Sequence, residues 1–311
     1  MKADATSFFA TSLEHKLKFN YGPYGNDKGG YTPRSGEAVA QSNTISNKES
    51  PPPAGKAVAA DPVESFIINP ENRQRHIDIL PSSETYFCKC EELIHRLHVI
   101  STRALGIPED VEVDFFRKFY CASDEHAVGN GVTSLTLRLA HYPPQEQADC
   151  EEGDSREENE ARGARYGAHT DYMGFTVLKP DEGDWSDTVE GARGLEVFDS
   201  IDNSWIPVCI PDDIKKTAVV VNAGDLLQRW TNDRWTSPIH RVTSPDKRSA
   251  AAKLSRTALV FFSGPMCDAL ITTCPACTDQ NSPEKYDPVL AMDYLMSKIN
   301  PTVQTFSSGK S

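Results

Sequence analysis

Between Ser134 and Gly264 the chain carries six short stretches suited to β-structure, SLTLRLAHY, GFTVLKP, GLEVFDS, TAVVVNAGD, PIHRVTS and RTALVFFSG, separated by turn residues. Segments of this length and alternation pair as antiparallel strands, so this half of the chain predicts a β-sandwich or jelly roll. Helices flank it. From Ser83 to Leu105, Phe87, Cys90, Ile94, Leu97, Ile100 and Ala104 recur three and four residues apart, the spacing of an amphipathic helix. SSET opens that stretch like a cap and GIP closes it, and a last helix is expected over DPVLAMDYLMSKI. The expected fold class is mainly β with flanking helices, arranged as one domain over residues 1–311.

Two segments interrupt the pattern. Residues 22–62 include a Gly- and Pro-rich loop and the flexible run SNKESPPPAG. Residues 144–166 include QEQADCEEGDSREENEARGAR, with eight acidic residues and no large apolar one. Such a run buries too little surface to offset its ordering entropy and reads as a flexible insertion. It contributes to a formal charge of −13, which argues against nucleic-acid or anionic-membrane partners. No stretch has the length of a membrane span or the form of a signal peptide, so the expectation is a cytoplasmic monomer acting on a small molecule. Eight scattered cysteines do not make a disulfide framework, and CPAC (Cys274, Cys277), lacking a second CxxC, reads as reduced thiols in a loop rather than half a zinc site.

The chemistry enters with GARYGAHTDYMGFTVLKP, where His169 and Asp171 stand two apart in a strand-like run. On a strand they project from one face. A metal site needs a third donor, and His240 in SPIHRVTS is the best placed of the histidines. Two histidines and a carboxylate leave coordination positions open, the donor set of non-haem Fe(II) oxygenases; the same set also suits catalytic zinc. A second constellation bears on that choice. Arg256 shares a strand face with Ala258, Val260 and Phe262, and a guanidinium among apolar neighbours calls for an anion. In LRLAHYPP, Arg138, Ala140 and Tyr142 share a face in the same way.

AHTDYMGFTVL, SPIHRV far beyond it and RTALVFF resemble the Fe(II)/2-oxoglutarate-dependent dioxygenases of the isopenicillin-N-synthase-like group. SFFATSLEHK, GGYTPRSGEA, DPVESFII, LRLAHYPP, VNAGDLLQRWTNDRW and EKYDPVLAMDYL are similar to further segments of that group, so the resemblance covers most of the chain. It implies a double-stranded β-helix (jelly roll) with His169, Asp171 and His240 as Fe(II) ligands and with 2-oxoglutarate and O2 as cosubstrates. Arg256 would bind the distal carboxylate of 2-oxoglutarate with Tyr142 assisting, and Arg138 would serve it or a substrate carboxylate. The group's R-x-S reads Arg256-Thr257-Ala258 here, so the usual hydroxyl is missing. The 22–62 region covers the substrate in this group, which makes Tyr24, Asn26, Tyr31 and Glu37 substrate candidates beside Tyr172.

The implied reaction is hydroxylation, desaturation or oxidative cyclisation of a small, carboxylate-bearing metabolite. Ring closure of an N-prenyl glutamate, as in kainoid synthases, and pyrimidine hydroxylation fit the same frame. Outside it stand a zinc hydrolase using the same triad and a non-catalytic β-sandwich module.

Overall fold

The computed structural model describes residues 1–21, 29–34, 61–108, 115–144, 164–181, 194–211, 213–245 and 250–307. Helices α1 (Lys2–Phe9), α2 (Leu13–Leu17), α3 (Ser83–Ala104) and α4 (Arg117–Tyr120) precede or intersperse the first strands. Strands β1 (Gly30–Thr32), β2 (Glu64–Ile68), β3 (Thr136–Tyr142), β4 (Ala164–His169), β5 (Phe175–Lys179), β6 (Leu195–Asp199), β7 (Ser204–Pro207) and β8 (Val220–Ala223) lead to α5 (Asp225–Trp230). Then come β9 (His240–Thr243), β10 (Arg256–Phe262), β11 (Leu270–Ile271), β12 (Val289–Leu290) and α6 (Ala291–Ser307). All six strand-like stretches of the sequence are strands.

Two antiparallel sheets form the body, one of order β1-β2-β3-β10-β5-β8 and one of order β4-β9-β6-β7. Their facing sides share a cluster of Ala140, Tyr142, Tyr166, Leu195 and Val242, and a cavity opens between them: a jelly roll. The outer side of the larger sheet is covered by helices. Leu137 and Leu139 of β3 and Leu259 and Phe261 of β10 pack there against Phe8 of α1 and Phe87, Cys90 and Ile94 of α3. Strand alternation thus splits β3 and β10 into an outer apolar face that holds the helices and an inner face left for chemistry. Each fully buried large apolar side chain of that outer layer contributes about 1.5–3 kcal/mol.

The helix over Ser83–Ala104 forms where its periodicity placed it, but its buried line differs at the end. Ile100 is 61% exposed, while His98, Ser101 and Thr102 are buried. A 3.6-residue repeat running from Ile94 passes through 98 and 101/102, and apolarity at 100 does not redirect it. His98 is tolerated because its ring lies against Phe116, with centroids 5.0 Å apart, and burial pushes its pKa down to about 3, keeping it neutral. The last helix starts at Ala291 rather than Asp287, because Val289 and Leu290 pair with Ile271 and Leu270. The segment expected to be inserted at 144–166 ends earlier than expected, since Ala164 already begins β4; residues 145–163 lie outside the described residues. Cys274 and Cys277 are buried free thiols. Among the described residues no helix is long and apolar enough to cross a membrane.

Candidate active site

The inner faces of the two sheets enclose a cavity of about 560 Å³ with mostly apolar walls, among them Leu178, Leu195, Val242, Val260 and Phe262, and with Leu295 and Ile299 of α6. His169, Asp171 and His240 lie in one wall, and one donor atom from each falls within 4.8 Å of the others. His169 and His240 are cross-strand partners at the end of the β4–β9 ladder. Asp171 is not on a strand, because β4 ends at His169, so the alternation argument does not explain its position.

What places Asp171 is the segment 222–226. Asp225 N–H donates to the carbonyl of Asp171 (2.8 Å), Leu226 N–H to that of Met173 (3.0 Å) and Gly224 N–H to that of Gly174 (2.7 Å). The free N–H groups at the start of α5 are thereby satisfied by the turn that bears the carboxylate. Gly224 is required, since a Cβ there would lie 2.4 Å from the Met173 carbonyl oxygen. The side chain of Asn222 completes the clamp, its Nδ2 donating to Asp171 Oδ2 at 2.6 Å.

The donor chemistry follows from these contacts. The Nδ1–H of His169 donates to the carbonyl of Gly167 (2.9 Å) and that of His240 to the carbonyl of Pro238 (3.0 Å), so each ring turns Nε2 toward the carboxylate. The Nε2 atoms stand 3.7 and 3.8 Å from Asp171 Oδ1, too far for hydrogen bonds and close enough to share one cation. Burial, reinforced by the neighbouring His240, pushes His169 down to about 3, so its imidazole is neutral. Burial works against the charge of Asp171, but the His240 and His169 rings and hydrogen bonds from Asn222 and Thr176 outweigh it and hold the carboxyl below its ordinary value. A buried carboxylate beside inward-facing ring nitrogens fits a divalent metal.

Opposite this wall, β3 and β10 present Arg138, Ala140, Tyr142, Arg256, Ala258 and Val260 to the cavity, as the alternation requires. Arg256 is the register partner of Tyr142, and its guanidinium lies 5.2 Å from the centre of that ring. Arg138 pairs with Val260, four residues further along, about 13 Å by strand rise. Its Nη1 donates to Tyr166 Oη (2.5 Å), while the guanidinium lies over the Tyr166 ring, 4.9 Å from its centre. The missing hydroxyl of the R-x-S pattern is visible here: Ala258 faces the cavity, whereas Thr257 turns away and pairs with His141 at 2.8 Å.

Of the substrate candidates, Tyr172 lines the cavity. Tyr31 does not: it is a core residue, 1% exposed, edge-on to Phe8 and hydrogen-bonded to Glu64, because β1 joins the sheet beside β2 and turns this side chain to the helix-covered face. Tyr24, Asn26 and Glu37 lie outside the described residues. Sequence reasoning missed Asn222, Thr176 and Tyr166. A single amide within TAVVVNAGD was the available signal for Asn222; nothing in the alternation marks Tyr166, whose face depends on an irregularity in β4.

The 2OG-Fe(II) oxygenase superfamily model matches residues 133–265. The chain is 29% identical over 307 residues to the proline hydroxylase buaE of Petromyces alliaceus, covering 95% of this chain and 82% of that one. It is 30% identical to the 2-oxoglutarate-dependent dioxygenase htyE of Aspergillus rugulosus, over 70% of this chain but only 57% of that protein's length. Among solved structures, a full-length Neurospora crassa protein in complex with alpha-KG has a similar fold, with TM-score 0.66 and 23% identity over 96% of this chain and 79% of that one. These matches favour the oxygenase reading over the zinc hydrolase and the non-catalytic module. The family match over residues 133–265 and relatives named as 2-oxoglutarate-dependent dioxygenases support the 2OG-Fe(II) oxygenase superfamily for this chain, with Fe(II), 2-oxoglutarate and O2 as the cofactor and cosubstrates that go with it.

Proposed function

We propose that this oxygenase oxidises a small, carboxylate-bearing, amino-acid-like metabolite within a cavity formed by the single domain. His169, Asp171 and His240 are the Fe(II) ligands in this reading. Arg256 binds the distal carboxylate of 2-oxoglutarate, its planar fork matching a carboxylate bidentately, and Tyr142 holds the guanidinium in place. Arg138 receives the carboxylate of the substrate. The observation that carries this assignment is the separate company of the two guanidiniums, Arg256 over Tyr142 and Arg138 over Tyr166, each facing one cavity. Tyr172 contacts the substrate beside the metal, and the similarity to a proline hydroxylase supports the amino-acid class.

Bound iron supplies activation of O2 coupled to decarboxylation of 2-oxoglutarate to succinate and CO2. The chain's own residues orient and exclude. The neutral imidazole of His169 adds no charge, and the ionised Asp171 supplies a negative charge to set against a divalent ion. The apolar walls keep water from the C–H to be oxidised, while Arg138 fixes which carbon approaches. Hydroxylation is the default outcome.

Succinate release measured against a panel of amino acids, prenylated amino acids and nucleobases tests the reading. Stimulation by a carboxylate-bearing amino acid, with product in step with succinate, is expected. Stimulation by nucleobases alone would replace the amino-acid class with a pyrimidine, and no response from any carboxylate would sink the role given to Arg138.

A further inference from the structure

β4 contains an irregularity on which the metal wall depends. Tyr166 pairs with Val242 and His169 with His240, so three steps along β4 match two along β9. The extra residue is a bulge. In a regular strand, side chains three apart leave opposite faces, yet Tyr166 and His169 both line the cavity and meet edge to face with centroids 4.9 Å apart. Gly167 sits within the bulge and uses both halves of its backbone. Its carbonyl accepts the Nδ1–H of His169 at 2.9 Å, and its N–H donates to Asp61 Oδ1 at 2.9 Å. Asp61 is 5% exposed, stands 106 residues earlier in the chain just before β2, and is not part of the cavity lining.

We infer that Asp61 is a positioning residue for the metal centre: through Gly167 it fixes the bulge and holds the His169 ring with Nε2 toward Asp171 and His240. The inference rests on the reading of His169 as a metal ligand. A charged acceptor on the Gly167 N–H both locks that residue in the bulge and, by charge-assisted hydrogen bonding, limits how far the strand can relax toward regular pairing. His240 is held differently. Its acceptor is the carbonyl of Pro238, and the preceding Ser237 N–H is fixed by Gln228 Oε1 at 2.7 Å. Asp61 therefore acts on one imidazole of the two.

Anaerobic titration of the full chain with Co(II), followed by its visible absorption, tests this in Asp61→Ala, Asp61→Asn and Glu64→Gln. Glu64 lies three residues on and forms a buried ion pair with Lys16 at 2.7 Å, so its variant measures what general loss of stability does. Asp61→Ala is expected to weaken Co(II) binding about 10- to 100-fold. Asp61→Asn, which keeps an acceptor oxygen without its charge, is expected to weaken it several-fold, and Glu64→Gln to lower the melting temperature with Co(II) affinity unchanged. Wild-type affinity in either folded Asp61 variant overturns the inference, as does a loss in Glu64→Gln equal to that in Asp61→Ala. A wild type that takes up no Co(II) overturns the metal reading itself.

Discussion

The two walls of the cavity are built on opposite principles. β3 and β10 pair through seven consecutive residues without a break, from Arg256 with Tyr142 to Phe262 with Thr136, and every second side chain faces the cavity. β4 and β9 pair with two register shifts, and the carboxylate between their histidines sits on a turn rather than a strand. Regular pairing places guanidiniums at fixed intervals along an axis, which suits two ligands whose carboxylates lie apart in one cavity. It cannot bring three donor atoms to one point, because strand neighbours on one face are about 7 Å apart. The wall that carries His169, Asp171 and His240 converges only by giving up regularity.

The largest expected effects break the convergent wall outright. His169→Ala or Asp171→Ala should reduce succinate formation to background, measured with 2-oxoglutarate alone and with the best substrate of the panel; turnover surviving in either would remove that residue from the ligand set. Next come the arginines of the regular wall, for which separate roles are proposed. Arg256→Met should raise the KM for 2-oxoglutarate by about 10- to 100-fold, the loss of roughly 1.5–3 kcal/mol of charge-assisted hydrogen bonding. Arg138→Met should raise the substrate KM by a similar factor and leave that of 2-oxoglutarate nearly unchanged. Equal effects of both variants on 2-oxoglutarate would mean that the two guanidiniums form one site.

The same contrast explains what could be read from the sequence. On the regular wall, period-two alternation in LRLAHY and RTALVFF is enough to assign Arg138, Tyr142 and Arg256 to one face, and all three line the cavity. On the irregular wall, alternation assigned His169 and Asp171 a shared strand face, and the structure replaces that with a clamp from residues 222–226. The bulge that carries Tyr166 and the contact from Asp61 leave no periodic trace, since both depend on pairing between segments far apart in the chain. Tyr31 shows the complementary failure. Loop-like composition around GGYTPRSG hid a three-residue strand whose partner, β2, directs the ring into the core.

Two smaller substitutions sharpen the comparison, one on each side of the irregular wall. Asn222→Ala removes the 2.6 Å hydrogen bond to Asp171 Oδ2, and should weaken metal binding about tenfold while leaving the melting temperature within a few degrees. Tyr166→Phe removes only the hydroxyl that accepts from Arg138, keeping the ring against His169. Since the guanidinium can recover part of that contact from the bound carboxylate, the expected result is a substrate KM raised about 3- to 10-fold with Co(II) affinity unchanged. A Tyr166→Phe variant that instead loses metal and keeps its substrate KM would show that the hydroxyl serves the bulge rather than Arg138, and would move Tyr166 from the anion-binding side of the cavity to the metal side.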